Sequence, residues 1–175
     1  MTEKVLLVGM MGAGKSSVGA ALSVRLGWPY LDNDTLLERT AGSTALDLLA
    51  ELGERALREA ESRVLTLMLG MPGPMVCGLP GGVVLDEADR ARLVASPCHV
   101  VWLRATPQVL VRRVGAGPVR PWLGDDPAAT LRRLATERSG YYEEVADQVV
   151  DVDALPVGAI AKLVVAELEQ QAGLA

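Results

Sequence analysis

KVLLVGMMGAGKSSVGAALSVRL, residues 4–26, runs from a β-rich apolar stretch through a glycine loop into an amphipathic segment. Residues 4–9 read as a buried strand. The roughly thirteen positions after Gly14 read as a helix with Val18, Leu22 and Leu26 on one face. Between them lies G-x-x-x-x-G-K-S, Gly9 to Ser16, and each part of it answers a physical need. Glycines let successive backbone N–H groups curl round phosphate oxygens, and the helix N-terminus adds positive potential. Lys15 reaches the phosphate that moves, and the Ser16 hydroxyl suits Mg²⁺. Gly12, Ala13, Gly14, Lys15, Ser16 and Ser17 are therefore the candidate nucleotide-binding residues. The alternative, a glycine turn with a surface lysine, fits poorly between a strand and a helix.

Outward from this unit, Gly27-Trp28-Pro29 stops the helix, and Tyr30 to Asp32 reads as a second strand. Thr44 caps a long helix running to about Leu69, with Gly53 as a possible break. The breaker cluster Gly70 to Pro74 precedes a third strand, Met75 to Cys77, and the loop Gly78 to Gly82. A short helix over Asp86 to Ala95, a fourth strand over Val100 to Leu103 and a helix over Pro107 to Val114 follow. Residues 115–126 combine glycine, proline and charge without periodicity, as a mobile flap would. A helix over Pro127 to Ala146, a fifth strand over Gln148 to Val152 and a closing helix over Pro156 to Gln171 complete the chain. Strands alternating with helices predict an α/β fold with a parallel sheet, right-handed crossovers and a shared carboxyl edge.

The chain has 175 residues, enough for one well-buried domain spanning 1–175. Half of it is apolar and it contains no Phe, so Leu, Val, Ala and Met must fill the core. Seventeen basic against 22 acidic residues give a net charge of −5. That balance repels a nucleic-acid backbone or an anionic membrane. Two cysteines do not frame a secreted scaffold, and no apolar run approaches the ~20 residues that cross a bilayer. Met1 to Lys4 leads straight into a strand, without the pattern of a signal peptide. A cytoplasmic, monomeric protein acting on a small molecule is expected.

Basic and acidic residues must then be used locally. Asp32 and Asp34 stand at the end of the second strand, where alternation points both side chains the same way if the strand persists. Asp32 is a candidate Mg²⁺ partner through water, and Asp34 a candidate to bind or deprotonate an acceptor hydroxyl. Asp-Asn-Asp before a helix is equally ordinary capping chemistry. Arg58 and Glu61, three apart, share a helical face with Arg55 nearby; a solvated charged helix looks the same. Arg112, Arg113 and Arg120 bracket and enter the flap, and Arg120-Pro121 is the stiffest presentation of a guanidinium to a moving phosphoryl group. Arg138 reads as a simple surface charge. His99, beside Cys98 at the start of a strand, reads as packed; Met10, Met11 and Trp122 read as packing too.

The ordered constellation resembles the shikimate kinase family, in the nucleoside-monophosphate-kinase-like branch of P-loop proteins, over nearly the whole chain. Gly9 to Ser16 is followed by Leu31-Asp32-Asn33-Asp34, similar to the family's Asp-x-Asp. Gly53 to Glu61 is similar to its Gly-Glu-x-x-Phe-Arg-x-x-Glu. Val119 to Leu123 looks like its lid segment, and Glu137 to Tyr142 like its Arg-x-x-x-Tyr segment. The resemblance implies a three-layer P-loop NTPase fold with a central five-stranded parallel sheet and a mobile lid at about 114–126. It implies an acceptor-binding segment at about 33–61, and transfer of the terminal phosphoryl group of ATP to the 3-hydroxyl of shikimate.

Residue by residue, the resemblance implies Mg²⁺ held by Ser16 and, through water, by Asp32. Asp34 would grip the ring hydroxyls and accept the proton. Arg58 and Arg138 would bind the substrate carboxylate, with Gly81 and Gly82 beside it. Lys15 and Arg120 would stabilise the moving group, and Arg113 would lie against the nucleotide. The chain departs from the family at Pro80, where the family has the first of three glycines, and at Leu57 and Leu49, where it has aromatics. Proline offers no N–H, so a contact made by that group would be lost here, whereas a mere turn would survive. A kinase for another polyhydroxy acid or cyclitol, of the gluconate-kinase kind, is the neighbouring reading. A nucleotide-binding regulator without catalysis is the more distant one.

Overall fold

The computed structural model describes residues 3–115 and 123–173. Five strands form one parallel sheet: β1 (Lys4–Val8), β2 (Tyr30–Asp32), β3 (Met75–Gly78), β4 (His99–Arg104) and β5 (Gln148–Asp151), in the order β2-β3-β1-β4-β5. β1 lies centrally, with Leu6 registered against Cys77 on one side and Val100 on the other. Val5, Leu6, Leu7 and Val8 are fully buried, because a central parallel strand is covered on both faces.

Seven helices are described: α1 (Lys15–Leu26), α2 (Asn33–Ala41), α3 (Ala45–Gly70), α4 (Glu87–Ala95), α5 (Pro107–Gly115), α6 (Pro127–Val145) and α7 (Val157–Gly173). α1 packs against α7 and the sheet, while α4 and α5 pack against α6, which lies on β4. This is the expected three-layer α/β fold. From β1 the chain crosses over two positions to β2, and from β3 it crosses β1 in the opposite direction to β4. Right-handed crossovers in opposite directions place the helices on opposite faces, so the crevice between the carboxyl ends of β1 and β3 is the switch point where such sheets bind ligands.

Three local features agree with the sequence and one does not. The Thr44 hydroxyl accepts the Asp47 N–H at 3.2 Å, and the Asp47 carboxylate accepts the Thr44 N–H at 3.4 Å, a reciprocal capping box. Gly53, at φ 83° and ψ 177°, interrupts α3 in a conformation closed to other residues. His99 is buried, with Nε2 3.1 Å from Gln148 Oε1, as a packed histidine should be.

β2 does not persist through Asp34: it ends at Asp32, and the capping alternative weighed for Asp-Asn-Asp holds, with α2, not otherwise assigned from sequence, beginning at Asn33. The Asp32 carboxylate caps it by accepting the Asp34 N–H at 3.0 Å. Asp34 thus leaves the first turn of a helix instead of alternating along a strand. Between β3 and α4 the residues Val83–Leu85 form a 3₁₀ turn, also unassigned from sequence.

Candidate active site

The loop after β1 is shaped by glycine at two close approaches. Gly9, at φ 141°, leaves no room for a side chain because a Cβ would stand 2.7 Å from the Leu103 carbonyl oxygen. Gly12, at φ 81°, would bring a Cβ to 2.9 Å from Val114 Cγ2. Ala13 turns inward, is buried, and its N–H donates to the Met10 carbonyl at 3.1 Å. Its contribution is to the curl of the loop. The Lys15 ammonium donates to the carbonyls of Gly9 at 2.8 Å and Met10 at 3.2 Å. Arg113, from α5, donates to the carbonyls of Gly12 and Ala13, each at 3.4 Å, and to that of Val152 at 3.0 Å. It therefore ties the loop to the segment after β5.

At the end of β2, Asp32 Oδ2 accepts from Ser16 Oγ at 3.2 Å and from the Tyr30 hydroxyl at 2.7 Å. Burial, and next the hydrogen bond to Asp32, push the Tyr30 phenol well above its usual range, so it remains a donor. Hard oxygens from a hydroxyl and a carboxylate, beside a glycine loop at a helix N-terminus, fit Mg²⁺, which usually takes only one or two protein groups and completes its shell with water and phosphate.

A cavity of about 670 Å³ opens between this loop and the elements after β2 and β3. Gly12, Gly14, Lys15, Ser16, Ser17, Asp32, Asp34, Arg58, Gly81, Gly82, Arg113 and Arg138 all line it. The sequence-predicted residues meet here, with two exceptions. Ala13 lies beneath the cavity, and Arg120, with Pro121 and Trp122 of the expected lid, falls outside the described residues.

The guanidinium groups of Arg58 and Arg138 are among the lining. Arg58 donates to Glu61 at 2.6 Å and to Glu54 at 3.3 Å. It lies against the Gly82 backbone, where a Cβ would stand 1.9 Å from Nη1, so any side chain at 82 would displace the Arg58 guanidinium. Arg138 is 8% exposed and donates to the Gly81 carbonyl at 3.0 Å, which also accepts the Tyr142 hydroxyl at 2.6 Å. Tyr142 stacks on Trp102 with centroids 5.6 Å apart, and burial raises its phenol to about 12. Arg138, which taken alone read as a surface charge and by resemblance as a carboxylate ligand, is thus buried. Its Nε and that of Arg58 are buried without a protein partner. Arg55, by contrast, pairs with Glu59 in solvent and belongs to the surface.

Glu61, Tyr142 and Tyr30 support the site, although the sequence reading assigned none of them to it. Burial pushes the Glu61 carboxyl above the usual carboxylate range, and Arg58 draws it back. The three-residue spacing from Arg58 was a signal for Glu61, the two-residue spacing from Asp32 for Tyr30, and the Arg-x-x-x-Tyr spacing from Arg138 for Tyr142. Leu49 and Leu57 do line the cavity.

Pro80 also lines the cavity, and its carbonyl accepts the Val83 N–H at 3.2 Å to open the 3₁₀ turn. Positive φ is confined to glycines among the described residues, so proline sits here without a left-handed backbone. Pro80→Gly is expected to lower stability by about 0.4–1 kcal/mol through the freedom gained by the unfolded chain, with acceptor KM within about threefold. Thermal melts and initial rates check this.

A family model described as shikimate kinase matches residues 11–169. The chain is 40% identical to a shikimate kinase of Bradyrhizobium diazoefficiens over 80% of its own length and 67% of that protein's. It is 38% identical to one from Thermobifida fusca over 93% of each chain. Among solved structures it is similar to shikimate kinase from Acinetobacter baumannii in complex with shikimate, with a TM-score of 0.91, 28% identity, and coverage of 98% and 95% of the two chains.

Proposed function

We infer that this chain, which belongs to the shikimate kinase family, transfers the terminal phosphoryl group of ATP to the 3-hydroxyl of shikimate, using the residues around the switch-point cavity. The observation that carries the assignment of roles is the pair Arg58 and Arg138. These two guanidinium groups line the same cavity as the glycine loop and retain buried Nε–H groups without protein partners. A carboxylate accepts such forks bidentately, and shikimate carries one carboxylate on a hydroxylated ring.

With the carboxylate held there, Asp34 meets the ring hydroxyls and takes the proton of the attacking one. Lys15 exchanges its loop carbonyls for phosphate oxygens and follows charge onto the moving group. Ser16 and, through water, Asp32 would hold Mg²⁺, which would neutralise phosphate charge. Arg113 braces the loop against the nucleotide, and Arg120 supplies further positive charge. Gly81 and Gly82 let the acceptor and Arg58 approach the backbone. Leu49 and Leu57 give an aliphatic wall to the ring where the family has aromatics.

An ADP-release assay with a panel of hydroxy acids tests the substrate. Turnover with shikimate is expected, and its absence at millimolar shikimate alongside turnover with gluconate would overturn the assignment. Shikimate methyl ester, which lacks the anion, should be a poor acceptor. Arg58→Lys and Arg138→Lys should each raise shikimate KM about tenfold or more, the cost of replacing a planar fork by a point charge, and leave ATP KM unchanged.

A further inference from the structure

Tyr30 and Asp32 stand two apart on β2 and share a face of the sheet. The Asp32 carboxylate is held at both oxygens: Oδ2 by Ser16 Oγ at 3.2 Å and the Tyr30 hydroxyl at 2.7 Å, Oδ1 by the Asp34 N–H at 3.0 Å. The shorter of the two bonds to Oδ2 comes from the phenol. A single hydrogen bond of this kind can be incidental, but two glycines on neighbouring elements argue that this one is built. A Cβ at Gly19 in α1 would stand 2.2 Å from the Tyr30 ring, and a Cβ at Gly78 in β3 would stand 2.5 Å from its hydroxyl. Neither glycine has positive φ, so their backbones do not require glycine. What requires it is the volume of the phenol. Gly19 lies inside a helix, where glycine is a poor former, and Gly78 ends β3, where it packs no side chain.

We propose that Tyr30 is a positioning residue for the divalent cation: its hydroxyl fixes the Asp32 carboxylate so that Asp32 and the Ser16 hydroxyl face the bound nucleotide together, which sets the affinity for the metal. The inference rests on the reading of Asp32 and Ser16 as the metal-side pair. Without the hydroxyl, Oδ2 keeps only the longer bond from Ser16, and the carboxylate turns about its side-chain bond. Outer partners of this kind orient the groups that meet a metal, and their loss is felt in metal affinity ahead of anything else.

Mn²⁺ is the probe, with free ion followed by electron paramagnetic resonance at saturating ADP. Tyr30→Phe keeps the ring that fills the clearance, so the fold is retained. It is expected to weaken Mn²⁺ binding about threefold to tenfold, at the lower edge of outer-partner effects. ADP binding in EDTA should stay within about twofold, because the phosphate loop is untouched. Asp32→Asn should weaken Mn²⁺ binding at least as much, and Tyr30→Phe added to it should cost nothing further.

Unchanged or tighter Mn²⁺ binding in Tyr30→Phe, with a lower melting temperature, would leave Tyr30 a packing residue and overturn the inference. Additive losses in the double variant would overturn it too, since Tyr30 would not then act through Asp32. Unchanged Mn²⁺ binding in Asp32→Asn would overturn the metal-side reading itself, and the inference with it.

Discussion

Asp34→Asn is expected to lower kcat with shikimate about a thousandfold while ADP binds within about twofold of the unaltered protein. A general base contributes about 10²–10⁴ in rate, and a thousandfold corresponds to about 4 kcal/mol of barrier. The amide retains the shape of the side chain but cannot take the proton. Asp34 lies in the first turn of α2 and its side chain is exposed. The Asp32 cap uses the Asp34 backbone N–H, which the substitution leaves in place. Loss of one negative charge near a helix N-terminus costs only about 0.3–1 kcal/mol, so the fold should survive. Nucleotide affinity is spared because the phosphate loop belongs to β1 and α1. Steady-state ADP release and calorimetric ADP titration check the two halves. A kcat within tenfold of the original, with only shikimate KM raised, would make Asp34 a ligand and not a base. Weakened ADP binding would contradict the separation of the two sides of the cavity.

Lys15→Ala should damage both sides of the same ledger, lowering kcat about a thousandfold and weakening nucleotide binding about tenfold or more. Lys15 is the first residue of α1, and its ammonium already lies over the loop, bonded to the Gly9 and Met10 carbonyls. A charge held there stabilises phosphate in the ground state and more strongly in the transition state, where negative charge moves along the transferring group. Loss of both the ground-state and the additional transition-state interaction therefore appears in both constants. Lys15→Arg should restore little, because a planar fork on a longer arm does not occupy the place of a compact ammonium. Circular dichroism and melting temperature guard against a folding defect. A Lys15→Ala variant that keeps its nucleotide affinity and loses less than tenfold in kcat would remove Lys15 from the chemistry.

The difference between the two aspects of this site, phosphate and acceptor, runs parallel to how much of it was legible. Gly9 to Ser16 was readable because its structure is local: glycine geometry, a helix N-terminus and a strand end all fall within a dozen residues. The capping box at Thr44 and the interruption at Gly53 were readable for the same reason. The start of α2 was not, since Asp32 serves one strand and one helix at once and periodicity alone does not say where one period yields to the other. The acceptor side depended on resemblance, because Arg58 and Arg138 are 80 positions apart and each, taken alone, looks like a solvated charge. Arg120 had its motif, but its position lies outside the described residues.

What the sequence by itself determined is therefore chemistry carried by neighbours in the chain: the phosphate loop, the alternation of strands and helices, the caps and breaks, and the identity of the groups available to react. The tertiary structure alone decided what contacts between distant segments decide. It placed the loop after β1 and the loop after β3 on either side of the switch point. It buried Arg138 beneath the Gly81 carbonyl, laid Arg58 on Gly82, and opened at Gly19 and Gly78 the space in which Tyr30 reaches Asp32. Burial, close approach and shared hydrogen bonds are properties of pairs of segments, and a residue acquires them only when the chain has closed round it.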